Sequence, residues 1–229
     1  MRLILIRHGQ SGNNLIFEQT GGSSGRHPDT PLTALGHEQA ARTADFLAGP
    51  SPDLPWRVTH LYTSLMTRAV QTARPIAEAL DLPLLPHPEA YEVGGPFDED
   101  EQTGERTPVA GASRTALAGI SDRLRLPDWA GDEGWYTGPF EAEGAARARA
   151  GRVVSSLRAA WSDDDVIALV THGYFTQFLI QELVGVDGMS GWIRIHNTAL
   201  SLFEDRDWGG TLALRLGWTP HLTGAEITE

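Results

Sequence analysis

The chain of 229 residues contains no cysteine, and all 18 of its basic residues are arginine, so lysine is absent as well. Without thiols there are no disulfides, no thiolate metal sites and no cysteine nucleophile. Without lysine there is no Schiff-base chemistry, no pyridoxal phosphate anchor and no P-loop lysine. Arginine suits bidentate recognition of phosphate, although its wholesale use here reads first as genome composition. No apolar run approaches the ~18–20 residues needed to cross a bilayer, so no membrane partner is expected. The first residues lack the charged, apolar and small-residue segments of a signal peptide, and a cytoplasmic protein is expected.

Positive charge is scarce overall. The net charge of −12 argues against a nucleic-acid partner, because such partners demand basic patches. The acidity is concentrated: twelve acids and four arginines lie between Glu92 and Glu143, and the flanking segments are close to balanced. A solvated surface is the commoner role of such a run. The 41% apolar content is ample for a core, and the length fits one domain with an insertion.

Periodicity predicts strands alternating with helices. Strands are expected at Arg2–Arg7, Val58–Tyr62, Leu82–Leu85 and Val166–Thr171, with a late pair, Ala199–Phe203 and Leu212–Trp218, joined across Asp207–Gly210. Helices are expected at Asn13–Gln19, from the N-cap Thr33 to Leu47, over Met66–Leu80 with a kink or break near Pro75, from Glu141 to Trp161, and over Tyr174–Val184. Residues 88–140 are rich in Gly, Pro and acids, hold one short helix near Ser113–Leu124, and read as an insertion. The alternation implies a largely parallel sheet covered on both faces.

Three of these strand ends carry matching chemistry. The aliphatic run Leu3-Ile4-Leu5-Ile6 stops at Arg7-His8-Gly9; the second strand leads to Arg68 near a helix start; Ile167-Ala168-Leu169-Val170 leads to Thr171-His172-Gly173. Ligands of open α/β sheets sit beyond the carboxyl ends of strands, and helix N-termini favour anions. Two arginines and two histidines at that address predict an electropositive pocket in an acidic protein.

With Arg7-His8-Gly9-Gln10-Ser11 and Asn14, the run Asp29 to Ala40, Ser64 to Ala73, and Thr171-His172-Gly173 in this order, the chain resembles the histidine phosphatase superfamily, the phosphoglycerate mutase-like proteins. The resemblance implies a three-layer α/β/α sandwich with a mostly parallel central sheet and a cap inserted at about 93–140. It implies that His8 is a nucleophile that becomes a transient phosphohistidine. Arg7, Arg68 and His172 would bind the phosphoryl oxygens, Asn14 would add a neutral donor, and Gly173 and Gly21 would border the bound phosphate. Since the arginines supply the positive charge, no metal or cofactor is implied. The partner would be a small phosphorylated substrate, taken by a monomer or homodimer.

The proton donor to the leaving oxygen is best matched by Glu92, in Tyr91-Glu92-Val93-Gly94-Gly95, with Glu89 and Asp98 as rivals. Phosphoglycerate mutases carry a Trp-Asn pair where this chain has Asn13-Asn14, and a Glu-Arg-His-Tyr-Gly segment that is missing here. Those departures favour a phosphatase; a cofactor-dependent mutase and a non-catalytic phospho-ligand binder are the alternatives. His27, His60, His87 and His221 have no metal-like spacing and are expected at the surface or in loops, and His37 lacks the second histidine of a zinc helix. His196-Asn197 could line the pocket or simply end a strand. Trp135 is the expected lid residue.

Overall fold

The computed structural model describes residues 1–206 and 209–229. The chain forms β1 (Arg2–Arg7), α1 (Gly12–Thr20), α2 (Ala34–Ala48), β2 (His60–Thr63), α3 (Thr67–Leu80) and β3 (Leu84–Pro86). The acidic segment then makes β4 (Phe97–Glu99), β5 (Arg106–Pro108) and α4 (Arg114–Ile120). The remainder supplies α5 (Glu143–Ala160), β6 (Val166–Thr171), α6 (Gly173–Val184), β7 (Leu200–Asp205), β8 (Thr211–Trp218) and a 3-10 turn at Gly224–Glu226.

Six strands form one sheet in the order β3-β2-β6-β1-β7-β8, in which β3, β2, β6 and β1 are mutually parallel and β7 runs against its neighbours. The aliphatic run at the start of the chain explains the layering. In β1, Ile4 and Ile6 face one core cluster with Ala44 and Leu47 of α2 and Ala69 and Ile76 of α3. Leu3 and Leu5 face the other, with Val153, Val154 and Leu157 of α5 and Phe175 of α6. Alternate side chains of one strand thus bury against helices on both faces, each contributing roughly 1.5–3 kcal/mol. The result is the expected α/β sandwich with a mostly parallel sheet.

Thr33 caps α2 as predicted, accepting from the Gly36 N–H at 3.0 Å. Of the kink or break expected near Pro75, the break does not occur: helix α3 is continuous from Thr67 to Leu80. One missing N–H is tolerated because Ile76 and Ala77 beside it are fully buried. Of the predicted connection Asp207–Gly210, Asp207 and Trp208 lie outside the described residues; the antiparallel pairing of β7 and β8 that it joins is present. No helix among the described residues is long and apolar enough to cross a membrane.

The acidic segment is divided in its packing. The β4–β5 hairpin stands apart as a two-stranded sheet. Leu117, Leu124, Trp135 and Tyr136, by contrast, join the core cluster of α2 and α3, and Leu84 at the sheet edge bridges to Leu124. Trp135 is therefore buried, against Tyr91 and Tyr136, and does not serve as a lid. His87 and His221 lie in loops, as expected, but neither is a surface residue. His87 is buried and hydrogen-bonded to Ser156 at 2.9 Å, and His221 is half-buried between Thr43 and Thr198. Burial lowers both to about 4.

Candidate active site

Parallel pairing of β1 with β6 places Arg7 opposite Thr171, so Arg7-His8 and His172-Gly173 leave the sheet side by side. The His8 N–H continues the ladder to Thr171 O at 2.9 Å, and the His8 and His172 rings stand 5.1 Å apart. The first turn of α3 brings in Arg68, whose Nε donates to His8 Nε2 at 3.1 Å. His8 Nδ1 lies 2.7 Å from Gly9 O. A carbonyl oxygen only accepts, so the proton resides on Nδ1 and Nε2 presents its lone pair.

The loop after β1 is held by contacts that account for several of the sequence motifs. The Gly9 N–H donates to Thr72 Oγ1 at 3.0 Å, and the Gln10 N–H donates to Gln39 Oε1 at 2.7 Å. A Cβ on Gly9 would meet Gly36 O at 2.6 Å, and one on Gly36 would overlap Gln10 O. The two backbones touch, which is why both positions are glycine. A Cβ on Gly173 would come within 3.1 Å of Arg7 Nε, so its absence lets that guanidinium lie against the start of α6.

Arg7, His8, Arg68 and His172 are all buried in their functional parts, and burial is the leading cause of each shift in acidity. Arg7 is lowered to about 10, with its Nη1 tied to Ile195 O at 2.6 Å. His8 and His172 are pushed well below the ordinary histidine value by desolvation and then by the arginine charges. Both rings are therefore neutral near pH 7. Neither Arg7 nor Arg68 forms an ion pair among the described residues, which leaves two buried cations without a contacting carboxylate.

Three buried nitrogens here have no hydrogen-bond partner among the described residues: Arg7 Nε, Arg68 Nη1 and His172 Nδ1. Ser64 Oγ accepts from the Met66 N–H at 3.2 Å and stands 2.8 Å from His172 Nε2. Its hydroxyl proton can go to Nε2, which makes Nδ1 the N–H of that ring. Buried donors without acceptors are costly, and an anion would satisfy all three.

Glu92 sits where two structural needs meet. Its Oε1 accepts from the Val93 N–H at 2.8 Å and the Phe175 N–H at 2.9 Å, and its Oε2 accepts from the Tyr174 N–H at 3.2 Å. The N-cap of α6, His172, offers no side-chain cap, so Glu92 supplies it from a distant segment. The turn after it uses Gly94 and Gly95 at φ 92° and 72°, where Phe140 and Tyr136 press against the backbone. Before it, the fully buried Arg149 donates to Glu89 O and to Tyr91 O at 2.9 Å, and pairs bidentately with Glu141. Its guanidinium is sandwiched 3.7 Å from the Tyr91 ring and 3.8 Å from that of Phe175. Asp29 acts likewise on α3, accepting from Thr67 N–H and Oγ1 at 2.8 Å.

A cavity of about 650 Å³ opens beside this cluster, and Arg7, Asn14, Glu92 and Gly173 contribute to its wall. Asn14 Oδ1 is taken by Ser11 and Asn197, which turns its amide N–H groups to other partners. Gly21 is not brought here: it ends α1 in the left-handed conformation at φ 70° and lies outside the cavity wall. Glu89 pairs with Arg152, and Asp98 lies in the β4–β5 hairpin, so neither rival of Glu92 borders the cavity. No group of three or more His, Asp or Glu among the described residues is arranged to hold a metal.

Of the pair His196-Asn197, which could line the pocket or end a strand, Asn197 belongs to the site; other site residues escape a reading of the sequence. Asn197 donates to His8 O at 3.2 Å and Thr198 N–H donates to the same oxygen at 3.3 Å. The signal was topological: an antiparallel strand pairing with β1 must begin at the end where His8 emerges. Ser64 opens one of the family runs without a role being assigned to it, and Arg149 and the cavity residues Phe17, Tyr174 and Trp192 carried no comparable signal.

The sequence and the fold have counterparts among known proteins. A probable phosphoglycerate mutase of Yersinia enterocolitica is 27% identical over 234 residues, covering 100% of this chain and 98% of the relative. The adenosylcobalamin/alpha-ribazole phosphatase of Escherichia coli is 30% identical over 195 residues, covering 84% and 83%. A phosphoserine phosphatase mutant from Entamoeba histolytica, solved with phosphoserine, superposes with a TM-score of 0.63 at 22% identity, covering 97% and 99%. Residues 3–216 match the sequence profile of the histidine phosphatase superfamily (branch 1). The chain belongs to that superfamily.

Proposed function

We propose that this protein is a phosphomonoesterase that works through a phosphohistidine on His8. The observation that carries the reading is that Arg7, Arg68 and His172, gathered with His8 at the same strand ends, each keep a buried nitrogen without a partner among the described residues, while His8 Nε2 holds a lone pair. Such an arrangement binds three phosphoryl oxygens while the fourth, the ester oxygen, departs.

In the first step His8 Nε2 forms a bond to phosphorus as the P–O bond to the alcohol breaks. Glu92 gives its proton to the departing oxygen. Oε2 is the atom to carry that proton, because it accepts one long backbone bond whereas Oε1 accepts two shorter ones. In the second step water attacks phosphorus, Glu92 takes the water proton, and the P–N bond returns its electrons to Nε2. Asn14 supplies neutral N–H groups to the phosphate, and Ser64 keeps the His172 proton on Nδ1.

The test is phosphate release from a panel of monoesters by the protein and by His8→Ala. We expect turnover by the protein, at least ~10³-fold lower turnover by the variant, and retained vanadate binding. Near-native turnover by the variant would sink the mechanism. Faster interconversion of phosphoglycerates than hydrolysis, on addition of bisphosphoglycerate, would make the protein a mutase instead.

A further inference from the structure

Besides Arg7, Asn14, Glu92 and Gly173, the cavity wall includes aromatic and aliphatic side chains. Phe17 comes from α1, Tyr174 from α6, and Trp192, Ile193 and Ile195 from the segment after α6. Trp192 is 65% exposed and Phe17 54% exposed, whereas Trp135, Tyr136 and Phe175 are buried. Tyr174 and Trp192 pack in a T-shaped pair with ring centroids 4.5 Å apart, and the indole stays largely exposed beside it.

This wall is pinned in place. The Gln177 amide clamps Ile193 from both sides, donating to its carbonyl at 2.8 Å and accepting from its N–H at 3.0 Å. Two residues on, Ile195 O receives the 2.6 Å bond from Arg7. The exposed indole is thus built on a segment whose backbone is fixed to the phosphate-binding arginine. Preorganisation of this kind lowers the cost of ordering a ligand.

Charge limits what the wall accepts. Arg194, the cation of this wall, is paired with Glu229 at 3.2 Å. A second anionic group on the substrate would meet that carboxylate rather than a free cation. We infer that the substrate is a monophosphate ester whose alcohol part carries a neutral, planar ring system that stacks on Trp192. The inference rests on the phosphatase reading for the phosphate end and adds the identity of the leaving alcohol. Two kinds of ester share this chemistry, nucleoside 5′-monophosphates and aralkyl phosphates, and both leave as ordinary primary alcohols.

The experiment compares kcat/KM for adenosine 5′-monophosphate and 2-phenylethyl phosphate with that for ribose 5-phosphate and 3-phosphoglycerate. At least one ring-bearing ester should exceed both ringless ones by about tenfold or more. Trp192→Ala should cut that ratio by about fivefold to a hundredfold, and Trp192→Phe should keep most of it. A preference in one arm only identifies the ring as nucleoside or carbocyclic. Equal rates for ring-bearing and ringless esters, or a ratio indifferent to Trp192→Ala, would overturn the inference. Calorimetric binding of the same four esters to His8→Ala separates the two claims. Tighter binding of ring-bearing esters without turnover by the native chain would refute the phosphatase and keep the ring; turnover without ring preference would do the reverse.

Discussion

Arg68 Nε donates to His8 Nε2 at 3.1 Å, so the lone pair assigned to attack phosphorus is held by the residue assigned to bind the phosphoryl oxygens. Substrate must move that guanidinium from a neutral nitrogen to an anionic oxygen, an exchange of a weak bond for a charge-assisted one. The same motion uncovers the nucleophile. Arg68→Ala should lower kcat/KM by about 10²–10³, and Arg68→Lys should not restore it, because an ammonium lacks the planar fork. Steady-state kinetics on nitrophenyl phosphate reads the effect; a loss under about tenfold would contradict it.

Acidity supplies a second expectation. His8, His87, His172 and His221 are all lowered in the folded protein, chiefly by burial, the second and last to about 4. An unfolded histidine titrates near 6.5, so between that pH and the folded values the unfolded chain binds more protons. Stability is therefore level above pH 6.5 and falls as the pH drops toward 4. Each histidine contributes up to about 1.4 kcal/mol per pH unit in that window. Urea midpoints from pH 8 to 4.5 test this, and a flat profile from 7 to 5 would count against it. The acid limb of kcat/KM due to His8 should likewise lie well below 6.5.

Arg149 fixes the backbone on which Glu92 stands, through Glu89 O and Tyr91 O. Arg149→Met leaves Glu141 buried and unpaired, at a cost of about 3–5 kcal/mol in stability. Arg149→Met with Glu141→Leu should recover much of the stability. If the arginine positions the acid, the double variant loses more activity on alkyl phosphates than on nitrophenyl phosphate, as does Glu92→Gln. Equal losses on both substrates would give Arg149 a purely structural role.

The contact of Gly9 with Gly36 yields a fourth test. Gly36→Ala forces a methyl group into Gln10 O and should cost about 1–3 kcal/mol. Because Gln10 follows the nucleophile by two residues, kcat should fall along with the thermal midpoint. A fall in stability with unchanged kcat would show that the loop relaxes away from His8.

Much of this was legible along the chain. Leu3 to Ile6 announced a strand buried on both faces, Thr33 announced a helix start, and the motifs around His8, Arg68 and His172 announced phosphate chemistry. Those features are local: strand period, cap geometry and residue type at a strand end travel with a few neighbouring residues. Trp135 went the other way. Its sequence neighbours suggested a lid, but burial against Tyr91 and Tyr136 made it core, and exposed Trp192 lines the cavity instead.

The sequence by itself determined the alternation of strands and helices, the family, and which side chains are fit to hold phosphate. Tertiary structure alone decided that Glu92 caps a helix eighty residues downstream, that Arg149 holds the segment before it, and that Trp192 and Phe17 share one cavity. The reason is physical. Side-chain chemistry and backbone period are properties of short segments, whereas orphaned donors, buried charges and cavity walls exist only once distant segments are packed together.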